Sequence, residues 1–279
     1  MKNQLQHIKI KNFTTELGAC ILELNLSYQV FGKELGSSPI ILINHALTGN
    51  SEVAGKEGWW QDIVGEEKVI DTAVYTILSF NVPGNGFDGF LIENYKDFIA
   101  RDIANIFLEG LQYLKISQLF ALIGGSLGGG IAWEMMVLNT KITKHFLPIA
   151  TDWKSTDWLI ANCQIQEQFL VNSSNPVHDA RMHAMLCYRT PTSFKERFHR
   201  SKKEDSSVFK VESWLLHHGE KLQERYQLSS YKLMNQLLKT IDVTKNGEKK
   251  IEILNQIDAN IHIIGVDSDL FFTAEENRE

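Results

Sequence analysis

A serine flanked by glycines is the clearest candidate for chemistry in this sequence. Residues 124–128 read Gly-Gly-Ser-Leu-Gly and lie between an apolar run at 119–123 and a stretch with helical composition. The pattern G-x-S-x-G at a strand-to-helix turn is typical of a nucleophile elbow, which exposes the serine hydroxyl. The glycines let strand and helix approach without a Cβ clash. We therefore expect Ser126 to be a nucleophile; the alternative is a glycine-rich turn that only packs or holds a phosphate.

A later apolar run ends in two carboxylates. Residues 259–266 predict a further buried strand, and Asp267-Ser268-Asp269 follow it directly. In the α/β-hydrolase fold the acid of a Ser-Asp-His triad comes after a strand later in the chain than the serine. The position predicts a triad acid here and leaves both Asp267 and Asp269 as candidates.

The loop after residues 40–44 is the candidate for an oxyanion hole. These residues predict a parallel strand buried on both faces, and His45-Ala46-Leu47-Thr48-Gly49 follow it. In hydrolase-like folds a backbone N–H of such a loop supplies half of the oxyanion hole, and we expect Leu47 to supply it. His45, at a strand end, is expected to make structural hydrogen bonds rather than to act as a base.

A parallel sheet is needed to bring these residues together. Alternation of polar and apolar residues in the first thirty positions predicts antiparallel strands at a sheet edge. The predicted buried strands are residues 40–44, 74–80, 119–123, 145–150 and 259–266. A helix is predicted at 95–114, with Asp97, Arg101 and Asp102 on its wetter side, and a helical turn at 58–65. Strands alternating with helices predict an α/β fold with right-handed crossovers.

The middle of the chain differs from both ends in residue composition and in its hydrophobic pattern. Residues 152–242 carry no strong strand signal and are rich in His, Arg, Gln and Trp, which predicts an inserted helical lid. The core of the domain is then expected in two parts, at residues 1–151 and 243–279.

Bulk composition favours a protein that acts on small molecules. The 279 residues carry a formal net charge of −6, which argues against nucleic acid or an anionic membrane as partner. Three cysteines, Cys20, Cys163 and Cys187, have no metal-type spacing and indicate a reducing compartment. The polar amino terminus does not resemble a signal peptide, so we expect a cytoplasmic protein.

Taken together, these motifs resemble the homoserine O-acetyltransferases of methionine biosynthesis, which are acyltransferases with the α/β-hydrolase fold. The matching segments are residues 45–49, 58–65, 124–129, 180–190, 212–221 and 265–270. The segment 180–190 discriminates best, because generic esterases share the elbow but not this stretch. The resemblance implies a mostly parallel central sheet with helices on both faces and an inserted helical lid.

The resemblance also assigns roles to individual residues. It implies an acylated nucleophile at Ser126, a triad acid at Asp269 rather than Asp267, oxyanion-hole amides at Leu47 and Leu127, and substrate-binding side chains at Arg181 and Tyr188. For Arg181 a salt bridge within the lid is the alternative. The implied substrates are acetyl-CoA and L-homoserine, with no metal and no bound cofactor, and the implied assembly is a homodimer.

The sequence departs from the family in two places. Residues 81–89 differ from the family's usual loop, and no histidine follows His262, whereas the family's catalytic histidine lies beyond the triad acid. We therefore expect the C-terminal strand and helix that carry this histidine to be missing, and the chain as given to be inactive. The alternatives are a succinyl or serine variant of the transferase, a carboxylic-ester hydrolase, and a non-catalytic or binding protein.

Overall fold

The computed structural model describes residues 4–244 and 250–278. The strands are β1 (Gln6–Thr14), β2 (Cys20–Gly32), β3 (Ile40–Asn44), β4 (Val64–Gly65), β5 (Ile70–Asp71), β6 (Thr76–Phe80), β7 (Leu119–Gly125), β8 (Thr143–Ile149) and β9 (Asn260–Ile261). The helices are α1 (Ala100–Tyr113), α2 (Leu127–Leu138), α3 (Asp157–Asn172), α4 (Pro176–Cys187), α5 (Pro191–Phe198), α6 (Lys210–Gln223), α7 (Leu228–Lys239) and α8 (Lys250–Leu254).

Seven strands form one sheet in the order β1-β2-β6-β3-β7-β8-β9, and β4 pairs with β5 in a small second sheet. The strands from β6 to β9 in this order are parallel to their neighbours, whereas β1 and β2 are antiparallel at one edge. The antiparallel edge and the parallel centre that the sequence predicts are both confirmed. Because β3 and β7 are adjacent, with Asn44 beside Gly124, their carboxyl ends bring the loop after β3 next to the elbow.

The central strands are apolar because both of their faces are buried. On β3, Leu42 belongs to the larger core cluster, whereas Ile41 and Ile43 belong to a smaller cluster on the other face, as the period of two along a strand requires. The larger cluster includes residues of α1, α2, α3 and α7. In the described part of the chain no helix contributes to the smaller cluster, which residues 53–70 cover instead.

Helices α3 to α7 lie between β8 and β9 in the sequence. The chain enters and leaves this helical insertion at one place, since Lys154 and Asp242 form an antiparallel bridge and an ion pair of 3.1 Å. Leu159 of α3 and Leu237 of α7 belong to the larger core cluster. The insertion therefore shares its core with the sheet and its helices.

Two local predictions are wrong. Residues 59–63 form turns and Val64–Gly65 form β4, so the predicted helical turn is absent there, and the rings of Trp59 and Trp60 stack with centroids 5.1 Å apart. Arg101 and Asp102 are buried, not on a wet face. Arg101 donates from Nε to Glu134 Oε2 at 2.8 Å, and Asp102 accepts the Glu16 N–H on Oδ1 at 2.7 Å. Partners distant in sequence thus stabilise charges that the helical periodicity assigned to solvent.

The predicted strand at 259–266 is shorter and more exposed than expected. Only Asn260–Ile261 form a strand, and a single bridge joins Ile264 to Ile149. β9 is the outermost strand of the described sheet on this side, so the apolar side chains of Ile261, Ile263, Ile264 and Val266 are exposed. The apolar run predicted the strand direction correctly, but its burial depends on neighbours that the run itself does not specify.

Across residues 4–244 and 250–278, the helices are too short or too polar to span a bilayer. Within the same residues, no three His, Cys, Asp or Glu side chains are grouped so that they could hold a metal ion.

Candidate active site

Ser126 lies between the end of β7 and the start of α2, with φ 52° and ψ −124°. A positive φ is strained for a residue with a Cβ, and strain of this kind is concentrated at functional sites. The flanking glycines make the turn possible: a Cβ on Gly124 would lie 2.4 Å from the carbonyl oxygen of Gly128, and a Cβ on Gly128 would lie 2.3 Å from that of Asn44. The backbone therefore has the form that the sequence pattern predicts for a nucleophile elbow.

The two residues predicted to supply oxyanion-hole amides, Leu127 and Leu47, both lie at the site of Ser126. Leu127 is the first residue of α2, and the first N–H groups of a helix have no partner inside it. Leu47 lines the same cavity as Ser126. The Tyr226 hydroxyl donates to the Leu47 carbonyl oxygen at 2.8 Å, so a residue just before α7 fixes the peptide next to this amide.

A buried polar network supports the loop that carries Leu47. His45 is 1% exposed; its Nδ1 donates to the Ala46 carbonyl oxygen at 2.8 Å, and its Nε2 accepts the Val82 N–H at 3.0 Å. Burial lowers the pKa of His45 to about 4. Asn81 accepts the Ser51 N–H at 2.8 Å at the far end of the loop. His45 is thus structural, as predicted, because both of its ring nitrogens bond to backbone.

Asp269 lies on the wall of the cavity that Ser126 also lines. Its Oδ1 accepts the Phe271 and Phe272 N–H groups at 2.7 and 3.0 Å. Within the described residues its Oδ2 has no hydrogen-bond partner, which leaves that oxygen able to accept an imidazole N–H. Asp267 instead points away from the cavity, where its exposed carboxylate pairs with Arg278 at 3.1 Å. The geometry favours Asp269 over Asp267, in agreement with what the family resemblance implies.

The cavity has a volume of about 530 Å³ and is lined by several segments that are far apart in the sequence. Its lining comprises the loop after β3, the elbow, the segment from α4 to α5 and the segment after β9: Ala46, Leu47, Thr48, Ser126, Ala150, Arg181, Cys187, Tyr188, Arg189, Thr190, Ser193, Val266, Ser268, Asp269, Leu270, Phe271 and Phe272. Five of the six residues predicted for the site are therefore on one surface, and the sixth, Leu127, follows Ser126 directly.

Arg181 and Tyr188 form one wall of the cavity at α4. The Arg181 guanidinium carbon lies 5.4 Å from the centre of the Tyr188 ring. Arg181 makes no ion pair with any described carboxylate, so the lid salt bridge considered as its alternative role is absent from this part of the chain. Its positive charge is available to an anionic substrate.

Several cavity residues had no individual signal in the sequence. Cys187, Arg189, Thr190 and Ser193 belong to a matching segment or follow it, but nothing in their spacing indicated which would face the cavity. Burial, and then the charge of Asp269, raises the pKa of the Cys187 thiol, whose Sγ donates to Asn162 Oδ1 at 3.4 Å. This thiol is therefore a weaker candidate for a nucleophile than Ser126.

All nine histidines of the sequence lie within the described residues, and none of them lines the cavity. His183, the histidine inside the matching segment 180–190, bonds to Gln166 through Nδ1 at 2.9 Å. The cavity thus presents the Ser126 hydroxyl, the Asp269 carboxylate and the loop that carries Leu47, but no imidazole from these nine residues.

Comparisons of sequence and structure identify known proteins that this chain resembles. A family described as the alpha/beta hydrolase fold matches residues 39–154. A homoserine O-acetyltransferase of Chloroherpeton thalassium is 30% identical over 100% of this chain and 79% of its own length. The crystal structure of homoserine O-acetyltransferase from Staphylococcus aureus superposes with a TM-score of 0.84 at 25% identity, over 98% of this chain and 83% of that one. An acetylester hydrolase of Corynebacterium glutamicum, with a TM-score of 0.82 at 20% identity over 98% and 83% of the two chains, shows the same fold.

Proposed function

The chain belongs to the homoserine O-acetyltransferase family, and we propose that it transfers an acetyl group from acetyl-CoA to the hydroxyl of L-homoserine through an ester on Ser126. The observation that carries the proposal is that one cavity is lined by five of the predicted residues: Ser126, Asp269, Leu47, Arg181 and Tyr188. An esterase needs only the first three of these. The added cation of Arg181 suits an acceptor that bears a carboxylate.

In the first half-reaction the Ser126 oxygen attacks the thioester carbonyl carbon. An imidazole base takes the serine proton, the C–S bond breaks, and the proton passes to the departing CoA thiolate. The Leu47 and Leu127 N–H groups face the negative oxygen of the tetrahedral intermediate. Loss of one such donor typically lowers the rate by about 100- to 1,000-fold.

In the second half-reaction the homoserine hydroxyl oxygen attacks the Ser126 ester. The base takes the hydroxyl proton and returns it to the serine oxygen as the ester C–O bond breaks. Asp269 Oδ2 would hold the base in the correct tautomer. Water competes with homoserine at this step, so the insertion that walls the cavity would favour transfer over hydrolysis by limiting the entry of water.

Because none of the nine histidines lines the cavity, we propose that residues 1–279 need an added base for turnover. Added imidazole is small enough for a cavity of about 530 Å³ and can bind to Asp269 Oδ2. Without it, residues 1–279 should be nearly inert in both half-reactions.

The proposal extends to the cellular location and the oligomeric state of the protein. A cytoplasmic location agrees with the three cysteines, which are all free thiols. The family resemblance suggests a homodimer, which light scattering would test, and a place in methionine biosynthesis. No bound cofactor is proposed, since acetyl-CoA acts as a substrate.

The test measures release of CoA thiol from acetyl-CoA with and without L-homoserine, for residues 1–279 in the presence of imidazole. Ser126→Ala measures the background catalysed by imidazole alone. Release that depends on homoserine and on Ser126 supports the proposal. Release that is independent of homoserine indicates a hydrolase, and no release indicates a binding protein. Succinyl-CoA and L-serine as alternative substrates define donor and acceptor.

A further inference from the structure

Beside the mouth of the cavity, five side chains form a basic and aromatic surface, which we name the basic ledge: Arg189, Arg197, Trp214, His218 and Lys221. Arg189 follows α4, and Arg197 belongs to α5. The other three lie on α6 at positions i, i+4 and i+7, the spacing that places side chains on one face of a helix.

The ledge is centred on the indole of Trp214. The guanidinium carbons of Arg189 and Arg197 both lie 5.6 Å from the centre of this ring, and the His218 ring lies 4.4 Å from it. Cation–π contact with one indole keeps two positive charges close together. Two phenylalanine rings of α5 also contact this indole, with centroids 5.7 and 5.6 Å away, so it holds the guanidinium groups rather than offering a free face.

The charges of the ledge are not neutralised by the protein. Among the described residues, Arg189, Arg197 and Lys221 form no ion pair with a carboxylate. The pKa of His218 is lowered first by burial and then by the positive charges of four neighbours, Arg181, His217, Lys221 and Arg189. These positive charges therefore lie close enough together to act on the same imidazole. In a chain with a net charge of −6, this concentration of unpaired positive charge is suited to a multiply charged anion.

The ledge continues into the catalytic cavity. Arg189 belongs to both surfaces, and Thr190 and Ser193 between Arg189 and Arg197 also line the cavity. A ligand with its anionic end on the ledge could therefore extend an uncharged arm into the cavity and place its far end at Ser126.

We propose that the basic ledge binds the phosphates of coenzyme A, while the cavity accepts the pantetheine arm with its thioester. This inference rests on the proposed acetyl transfer, and it assigns donor binding to residues distinct from those proposed for catalysis. The pyrophosphate and 3′-phosphate fit the guanidinium groups, which bind phosphate oxygens in a bidentate manner. Homoserine carries a single carboxylate, for which Arg181 inside the cavity suffices.

The test measures equilibrium binding of CoA and of pantetheine to residues 1–279 by calorimetry, which needs no turnover. The double variant Arg189→Gln/Arg197→Gln removes two cations from the ledge. Lys195→Gln is the matched control, because Lys195 lies on α5 with Arg197 but two residues away, on a different face of the helix. Circular dichroism melting verifies that each variant is folded.

We expect the double variant to bind CoA about tenfold or more weakly, since two charge-assisted hydrogen bonds are lost. Pantetheine binding should not change in the double variant, and CoA binding should not change in Lys195→Gln. Unchanged CoA affinity in the double variant, an equal loss in Lys195→Gln, or no CoA binding to the unmodified chain would overturn the assignment.

The two proposals fail in different ways. Thiol release that depends on homoserine, combined with CoA binding that is insensitive to the double variant, removes the ledge and leaves the transferase. CoA binding that weakens as expected, without any acetyl transfer to homoserine, keeps the ledge and removes the proposed reaction.

Discussion

Ser126 and Leu47 follow strands that are buried on both faces, whereas Asp269 follows the outermost strand of the described sheet, whose apolar side chains are exposed. On β3, Ile43 is 0% exposed; next to β9, Ile263 is 53% exposed. The part of the site that holds Ser126 and Leu47, which we call the nucleophile side, is therefore fixed by the core of the sheet. The part that holds Asp269, which we call the acid side, lacks this burial and must be held in another way.

That support comes from local backbone and from the helical insertion. Asp269 accepts two N–H groups from its own loop, and Trp158 of α3 donates from Nε1 to the Leu270 carbonyl oxygen at 2.7 Å. Phe271 is buried and meets the Tyr188 ring with centroids 6.0 Å apart. The insertion therefore has two tasks: it walls the cavity, and it positions Asp269, which the sheet edge alone does not hold.

The largest expected effect belongs to the nucleophile side. Ser126→Ala should abolish the acetyl adduct on the protein and lower kcat/KM by about 10⁴-fold or more, as typically follows loss of a triad member. Intact-protein mass spectrometry after incubation with an acetyl ester detects the adduct. Ser193→Ala, in the same cavity, is the matched control and should keep the adduct. An adduct that persists in Ser126→Ala would assign the nucleophile to another residue, with Cys187 as the first to examine.

The acid side should respond almost as strongly, but at one carboxylate only. Asp269→Asn should lower kcat by about 10³- to 10⁴-fold, because an amide no longer stabilises the imidazolium or fixes its tautomer. Asp267→Asn should change kcat less than about twofold, since its carboxylate is exposed and an exposed ion pair contributes little. Steady-state kinetics in the presence of added imidazole measure both losses of kcat. Equal losses in the two variants would mean that the acid is shared or misassigned.

The difference between the two sides also explains which features the sequence could predict. The elbow at Ser126 is local, because a few glycines and one strand-to-helix turn specify it, and its backbone angles confirm the prediction. Leu47 followed from the rule that α/β sites form at strand ends. The position in the sequence left both Asp267 and Asp269 as candidates, and only the family resemblance favoured Asp269; the fold then places Asp269 on the cavity wall and Asp267 in solvent.

Features that depend on distant partners could not be predicted in this way. Arg101 was assigned to solvent because its partner, Glu134, is 33 residues away on another helix. The burial of residues 259–266 was overestimated because an apolar run does not reveal whether a strand has neighbours on both sides. Arg189 and Arg197 meet on Trp214 only after α5 and α6 pack, so the basic ledge left no contiguous pattern in the sequence.

A pH-dependent effect of intermediate size should come from His45, beneath the nucleophile side. Its pKa in the folded chain is about 4, below the ordinary value of 6.5 that applies when it unfolds. The unfolded chain therefore takes up a proton first, and stability is lost as pH falls from about 6.5 to about 4. The loss attributable to this group approaches about 3 kcal/mol in the free energy of unfolding.

Urea unfolding at several pH values measures this loss, and His45→Gln should flatten the pH dependence across that window. The exposed His7→Gln is the matched control and should leave the dependence as it is. If His45→Gln and His7→Gln give the same pH dependence as the unmodified chain, then His45 is not kept neutral by its two backbone hydrogen bonds.

The smallest effect separates positioning from simple stability. Tyr226→Phe removes the hydroxyl that holds the Leu47 carbonyl, and Tyr231→Phe removes a hydroxyl that bonds to Gln166 Oε1 at 3.3 Å, away from the cavity lining. Each should lower the free energy of unfolding by about 1 kcal/mol, because both tyrosines are buried and each loses one hydrogen bond. Only Tyr226→Phe should also lower kcat, by several-fold, since the Leu47 N–H then faces the oxyanion less well. Equal kcat values in the two variants at matched stability would show that the oxyanion loop is held by the His45 network alone.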